Sequence, residues 1–465
     1  MKKENIWPNY TAEQKAELEK INELYKKCLD EGKTERECVE VAVKLATEHG
    51  YKDLKEYIAS GKKLKAGDKV YAVNMNKMIA LFQIGKEELS KGMNILGGHI
   101  DSPRIDVKGN PLYEQEGFAY LDTHYYGGIK KYQWTATPLS LHGKMIKKDG
   151  TTVNVCIGEE DSDPVFVITD LLVHLAAEQM GKKASEVIGG ENLDLLVGNI
   201  PVEEDPNATE KEKEAIKANV LKLLKDKYDV EEEDFLSAEL EIVPQGKARD
   251  LGFDRSMILA YGQDDRICSF TSLFAMLDVE KPVRTSCTLL VDKEEIGSVG
   301  ATGMQSAFFE NIVAEILALT EGESELLLRR TLANSRMLSS DVSAGYDPLY
   351  ASAFEKKNAA FLAQGITFNK FTGSRGKSGS NDANPEYIAS LRKIMDDAGV
   401  RFQFAELGKV DVGGGGTIAY IMAKYGMNVI DSGVAVLNMH APYEVSSKAD
   451  VYEAVRGYRA FLNWN

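Results

Sequence analysis

Four apolar, β-prone segments of this chain run directly into loops rich in His, Asp and Glu, and helical stretches lie between and after them. Met93-Asn-Ile-Leu96 enters Gly97-Gly-His-Ile-Asp-Ser-Pro-Arg104, and Cys287 to Val291 enters Asp292-Lys-Glu-Glu-Ile-Gly297. Met337-Leu338 precedes Ser339-Ser-Asp341, and Val434-Ala-Val-Leu437 enters Asn438-Met-His-Ala-Pro-Tyr-Glu444. Alternation with helical stretches such as 267–277 and 449–462 predicts an α/β domain with a central mixed, largely parallel sheet. Ligands of such sheets sit beyond the carboxyl ends of the strands. Each of the four polar clusters is expected at such an end.

The middle of the chain has a different character. Hairpin-like turns at Tyr126-Gly-Gly128 and Lys147-Lys-Asp-Gly150 are flanked by β-prone runs such as 152–157. The charged segment from Glu203 to Asp234 predicts an exposed or oligomer-facing helix rich in Glu and Lys. Strand-end motifs lie on both sides of this region. We therefore expect a discontinuous α/β domain of residues 1–105 and 253–465, interrupted by an inserted β-rich domain of residues 106–252. The first 65 residues read as helical, with a capping-box start at Thr11-Ala-Glu-Gln14.

Composition narrows the chemistry. The 465 residues carry a formal charge of −16, which disfavours nucleic acid as a partner. No run of apolar residues is long enough for a spanning helix, and the N-terminus lacks the apolar core of a signal peptide. A cytoplasmic protein is expected. The five cysteines are scattered without a Cys-x-x-Cys pair, so a bound metal would be held by His and carboxylates. That suits zinc, or the harder ions manganese or cobalt.

Among the six histidines, His49 sits at a helix C-terminus and reads as surface, while His124 and His142 in the insert read as structural. His99 and His440 follow apolar strands, and His99 lies in His-x-Asp, where Asp101 can orient the ring. Glu294 and Glu295 are adjacent at a strand exit. Successive side chains on an extended backbone leave opposite faces, so one can bind metal while the other acts as a base. Asp264-Asp265 precedes a helix and is explained either by capping or by a carboxylate bridging two ions. His99, Asp264, Glu295, Asp341 and His440 supply the ligand inventory of a two-metal site, leaving Glu294 as base.

The segments Gly97-Gly-His-Ile-Asp-Ser-Pro103, Gly262-Gln-Asp-Asp265, Asp292-Lys-Glu-Glu-Ile-Gly-Ser298, Ser340-Asp341 and Asn438-Met-His440, in this order, resemble the aspartyl aminopeptidase family of dizinc metallopeptidases. The resemblance implies Zn2+ ions, two per subunit, with His99, Asp341, His440 and Glu295 as terminal ligands and Asp264 as the bridge. It implies Glu294 as general base and Asp101 as the residue that steadies His99. It further implies an inserted dimerisation domain, assembly of dimers into a tetrahedral dodecamer, and removal of single N-terminal residues from short peptides. His174 resembles a histidine that reaches a partner's active site; the alternative is a helical histidine packed beside Leu171 and Leu175. The stretches 129–138 and 372–382 depart from the eukaryotic pattern, which leaves acidic against neutral preference open. Arg375, Lys377 and Lys409 are the basic residues that could meet an acidic side chain. The alternatives at this level are a dizinc carboxypeptidase or amide deacylase, and a metal-stabilised assembly protein without catalysis.

Overall fold

A computed structural model describes the protein over residues 4–203 and 213–465. The chain divides into two compact units: Met1–Ser102 with Lys247–Met439 and Tyr443–Asn465, and Pro103–Gly246 with His440–Pro442.

The first unit is built on a nine-stranded mixed sheet. Four neighbouring strands at its centre, Ser286–Val291, Asn94–His99, Arg336–Ser339 and Asn428–Gly433, are mutually parallel. Their register is nearly level: Val291 lies opposite His99, Ser339 opposite Gly97, and Asp431 opposite Ser339. The carboxyl ends of these strands therefore open on one edge. Adjacent residues on each strand serve opposite faces. Leu96, Leu290, Leu338 and Ile430 pack with the helices Gln263–Leu277 and Lys448–Leu462. Ile95, Leu289, Met337 and Val429 pack with Phe308–Thr320 and Glu325–Asn334 on the other side. Burial on both faces is why these strands read as continuous apolar runs.

The N-terminal helices Ala12–Glu31 and Glu35–Glu48 each begin with a capping box, at Thr11/Gln14 and Thr34/Glu37. A separate five-stranded sheet of the first unit contains Ala435–Leu437, parallel to Ser343–Ala344 and antiparallel to Glu444–Ser447. This corrects one expectation. The strand before His440 is not equivalent to the three central ones, because the chain has already spent its central-sheet strand at Asn428–Gly433 and crosses over at Val434.

The second unit is a six-stranded antiparallel sheet, with the helix Ala215–Tyr228 packed against the strands Arg104–Gln115, Phe118–Tyr126 and Leu195–Gly198. Lys147–Gly150 makes the expected hairpin between Leu139–Ile146 and Thr152–Ile157. Tyr126-Gly-Gly128 does not. Phe118–Tyr126 pairs backwards with Arg104–Gln115 and forwards with Leu195–Gly198, so the two glycines end a strand without reversing it. Part of the charged segment, residues 204–212, lies outside the described residues.

Candidate active site

His99 is the last residue of its strand and is buried, and its surroundings are carboxylates. Its Nδ1 lies 2.9 Å from the Asp101 carbonyl and 3.3 Å from Asp101 Oδ1. Its Nε2 lies 3.3 Å from Asp264 Oδ1 and 4.0 Å from Glu294 Oε2. Burial opposes an imidazolium here, but hydrogen bonds to Asp101 and Asp264 and the charges of Asp101 and Glu294 outweigh it and raise the His99 pKa well above its ordinary value. The approach of neighbours explains the glycine before it. A Cβ on Gly98 would stand 2.7 Å from Ser269 Oγ and 2.9 Å from Asp265 Oδ2, closer than heavy atoms pack.

The Glu pair is not extended. Lys293 takes a left-handed conformation (φ 69°) at the strand exit, and Glu294–Ile296 form a 3₁₀ turn. Successive side chains of such a turn are about 120° apart, so the two carboxylates still diverge, by helical rather than strand geometry. Asp101 holds this turn. Its Oδ1 accepts the Glu294 N–H at 3.1 Å and its Oδ2 accepts the Glu295 N–H at 3.2 Å. One buried carboxylate thus ties the glutamate turn to the histidine ring, a coupling that His-x-Asp spacing alone does not reveal.

Asp264 is pinned from both sides through its backbone. Its N–H donates to Glu444 Oε2 at 2.9 Å, and its carbonyl accepts from Ser102 Oγ at 2.7 Å. Asp264 and Asp265 have non-helical dihedrals at the head of the helix Gln263–Leu277. Asp265 was read from the sequence only as half of an acidic pair. In the structure it is fully buried and groups with His99 and Asp341: one ligand-type atom from each lies within 4.8 Å of the others, as do atoms of His99, Glu294 and Glu295. Burial, with Asp264 reinforcing it, raises the Asp265 pKa well above the carboxylate range. Burial and the charges of Asp265 and Glu294 do the same to Asp341. Glu444, a second residue missed, had a signal, since it ends the motif that begins at Asn438.

The structure therefore brings His99, Asp101, Asp264, Glu294, Glu295 and Asp341 together at the ends of the central strands. His440 follows the other sheet and falls in the second unit, its Nδ1 2.8 Å from the Gly128 carbonyl. His174 lies in the second unit in a short 3₁₀ turn, Val173–Leu175. Leu171 and Leu175, the residues expected beside it, are 49% and 69% exposed. Of the other histidines, His49 caps a helix and His142 is buried 3.1 Å from Glu159 Oε1.

Carboxylates crowded in this way repel one another and push their neighbours' pKa values up. A cation resolves the conflict, and a donor set of imidazole nitrogen and carboxylate oxygen suits zinc. A cation beside a glutamate whose backbone is fixed by a second carboxylate defines a metal-dependent hydrolase. The particular family follows from comparison. The model of the family described as aminopeptidase I zinc metalloprotease (M18) matches residues 28–462. A probable M18 family aminopeptidase 1 of Clostridium acetobutylicum is 60% identical over 99% of this chain and 98% of its own length. The crystal structure of an M18 family aminopeptidase from Thermotoga maritima superposes with a TM-score of 0.93 at 43% identity, covering 99% of each chain. More distantly, the S. cerevisiae mApe1 dodecamer shares the fold at a TM-score of 0.75 and 21% identity, over 94% of this chain and 95% of that one. The chain belongs to the M18 family of zinc aminopeptidases. It is a hydrolase of peptide bonds, and the carboxypeptidase, deacylase and scaffold alternatives give way to that finding. Among the described residues no helix is long and apolar enough to cross a membrane.

Proposed function

We propose that the enzyme removes single N-terminal residues from short peptides, with Glu294 as general base, and that His99, Asp264, Glu295, Asp341 and His440 would hold two zinc ions. Zinc supplies polarisation of the scissile carbonyl and a lowered pKa for water at neutral pH. The chain's own work is placement and proton transfer. Glu294 takes a proton from the attacking water and returns it to the departing amine. Asp101 keeps that carboxylate in place through the Glu294 and Glu295 N–H groups and orients His99 through Nδ1. Glu444 and Ser102 fix the backbone of Asp264. The observation that carries the reading is the double acceptance by Asp101, which locks the base to the histidine.

The test is mass-spectrometric product analysis of a peptide panel alongside the N-acetylated form of each peptide. Sequential loss of N-terminal residues from the free-amine peptides alone supports the reading. Cleavage of the acetylated peptides, or release from the C-terminus, overturns it.

We further propose that the second unit is a dimerisation domain and that dimers assemble into a tetrahedral dodecamer, with His174 entering a partner's site. The exposed apolar run Leu171, Leu172, Val173 and Leu175 supports this, as does the dodecameric neighbour. Sedimentation-velocity analysis tests it; a monomer at micromolar concentration overturns it. The acidic charge and five free thiols support a cytoplasmic location.

A further inference from the structure

The second unit holds an apolar cavity of about 170 Å³ between its sheet and the helix Ala215–Tyr228. The floor lacks one side chain. Gly143 lies opposite Val155 on one neighbouring strand and opposite Leu240 on the other, so the three share a face. Leu141 and Met145, two residues to either side of Gly143, line the cavity on that same face. A Cβ at Gly143 would collide with the Glu239 carbonyl oxygen, so the gap is fixed by the backbone. Val220, Leu224 and Tyr228, four residues apart on one stripe of the helix, form the roof.

Protein interiors are packed closely enough that voids larger than a water molecule are few. A dry apolar cavity of about 150 Å³ takes up benzene, so this one is of ligand size. Among the described residues that line it, Lys227 alone is charged. Its Nζ is 3.8 Å from Asp163 Oδ1, beyond hydrogen-bond length, and 5.2 Å from the centre of the Tyr228 ring. The Lys227 side chain is 56% exposed, so it borders the cavity while its charge stays in water.

An occupant that matches both surfaces has an aliphatic body and an anionic end. We propose that the cavity is a binding site for a medium-chain fatty acid, with the alkyl tail over Gly143 and the carboxylate beside Lys227. None of these residues enters the catalytic assignments.

The test is calorimetric titration of the zinc-supplied enzyme with hexanoate and octanoate, with 1-octanol as the uncharged control. Octanoate should bind at one site per chain, about tenfold tighter than hexanoate for its two additional methylenes. Val155→Phe and Val220→Phe fill the cavity from floor and roof; each should keep or raise the melting temperature and weaken octanoate about tenfold or more. Lys227→Met, at an exposed position that folding does not depend on, should weaken octanoate several-fold and leave octanol unchanged. No heat with octanoate at millimolar concentration overturns the site, and so does undiminished binding in a folded filling variant, which would put the ligand elsewhere, as on the metal. Octanol bound as tightly as octanoate, or octanoate undiminished in Lys227→Met, overturns the fatty acid as ligand.

Discussion

Two charged clusters of the first unit use buried carboxylates to opposite ends. Around Asp250, burial works against the carboxylate, yet Lys26 at 2.7 Å, Arg255 at 2.9 Å and Lys448 at 3.1 Å hold its pKa well below the carboxylate range. Lys448 is buried and also reaches Glu19 at 2.8 Å. Every charge there is answered within the chain. At the ends of the central strands Asp101, Asp264, Asp265, Glu294 and Asp341 surround a single histidine, and the pKa values of Asp265 and Asp341 move up instead of down. The first arrangement is a closed structural device. The second is left acidic by the fold, the arrangement that the proposed metal centre requires.

The comparison breaks most sharply at Glu294. Glu294→Gln should lower kcat by a factor of about 10²–10⁴ with zinc content unchanged by inductively coupled plasma mass spectrometry; retained turnover would remove the strand-end cluster from the chemistry. His99→Ala and Asp264→Ala should lower zinc stoichiometry, whereas Asp250→Ala should leave it at the wild-type value. Chelation should lower the melting temperature of the wild type and of Asp250→Ala, because a ligand that binds the native state stabilises it; Asp264→Ala should respond less.

Asp250→Ala should instead cost stability, about 3 kcal/mol by urea titration, since Lys448 would remain buried with one partner fewer. The pH dependence sharpens the contrast. Asp250 has a depressed folded pKa, so its contribution is present above the ordinary carboxylate range and is lost as the pH falls through it. Burial pushes Asp450 up to about 8, against the lowering effect of the Ala363 and Gly365 N–H groups, whose hydrogen bonds it accepts at 2.7 Å each. Its contribution is present below the ordinary range and is lost as the pH rises towards 8. Asp250→Asn should therefore flatten the acid limb of the stability profile, and Asp450→Asn the limb between pH 4 and 8. The smallest effect is expected at Lys377: because Asp382 already engages it, Lys377→Met should change kcat/KM on Asp-Ala-Ala less than about twofold.

Local sequence was a good guide wherever local forces dominate. The capping box at Thr11, the strands that end at His99, Val291 and Ser339, and the hairpin at Lys147–Gly150 are written in short spans of residues. So is the gathering of His99, the Glu pair and Asp341, because parallel strands of similar register put their ends on one edge, whereas Asp264 joins them from the head of a helix. What misled was partner choice. Val434–Leu437 has the composition of a central strand, but Asn428–Gly433 occupies that place, and composition does not say which of two adjacent apolar runs wins it. Tyr126-Gly-Gly128 has turn residues without a returning strand, since its strand finds partners on both sides from distant parts of the chain. Asp265 lacked a distinguishing neighbour in sequence, and Glu444, though it ends the motif that begins at Asn438, gave no sign of its partner Asp264.

The sequence by itself determined the donor types, their order along the chain and their attachment to strand ends, because side-chain chemistry and strand periodicity are properties of neighbouring residues. Tertiary structure alone decided that Asp101 clasps the glutamate turn and that Glu444 and Ser102 hold Asp264. Those contacts join residues far apart in the chain, and the packing of helices on both faces of the sheet brings them within hydrogen-bonding reach.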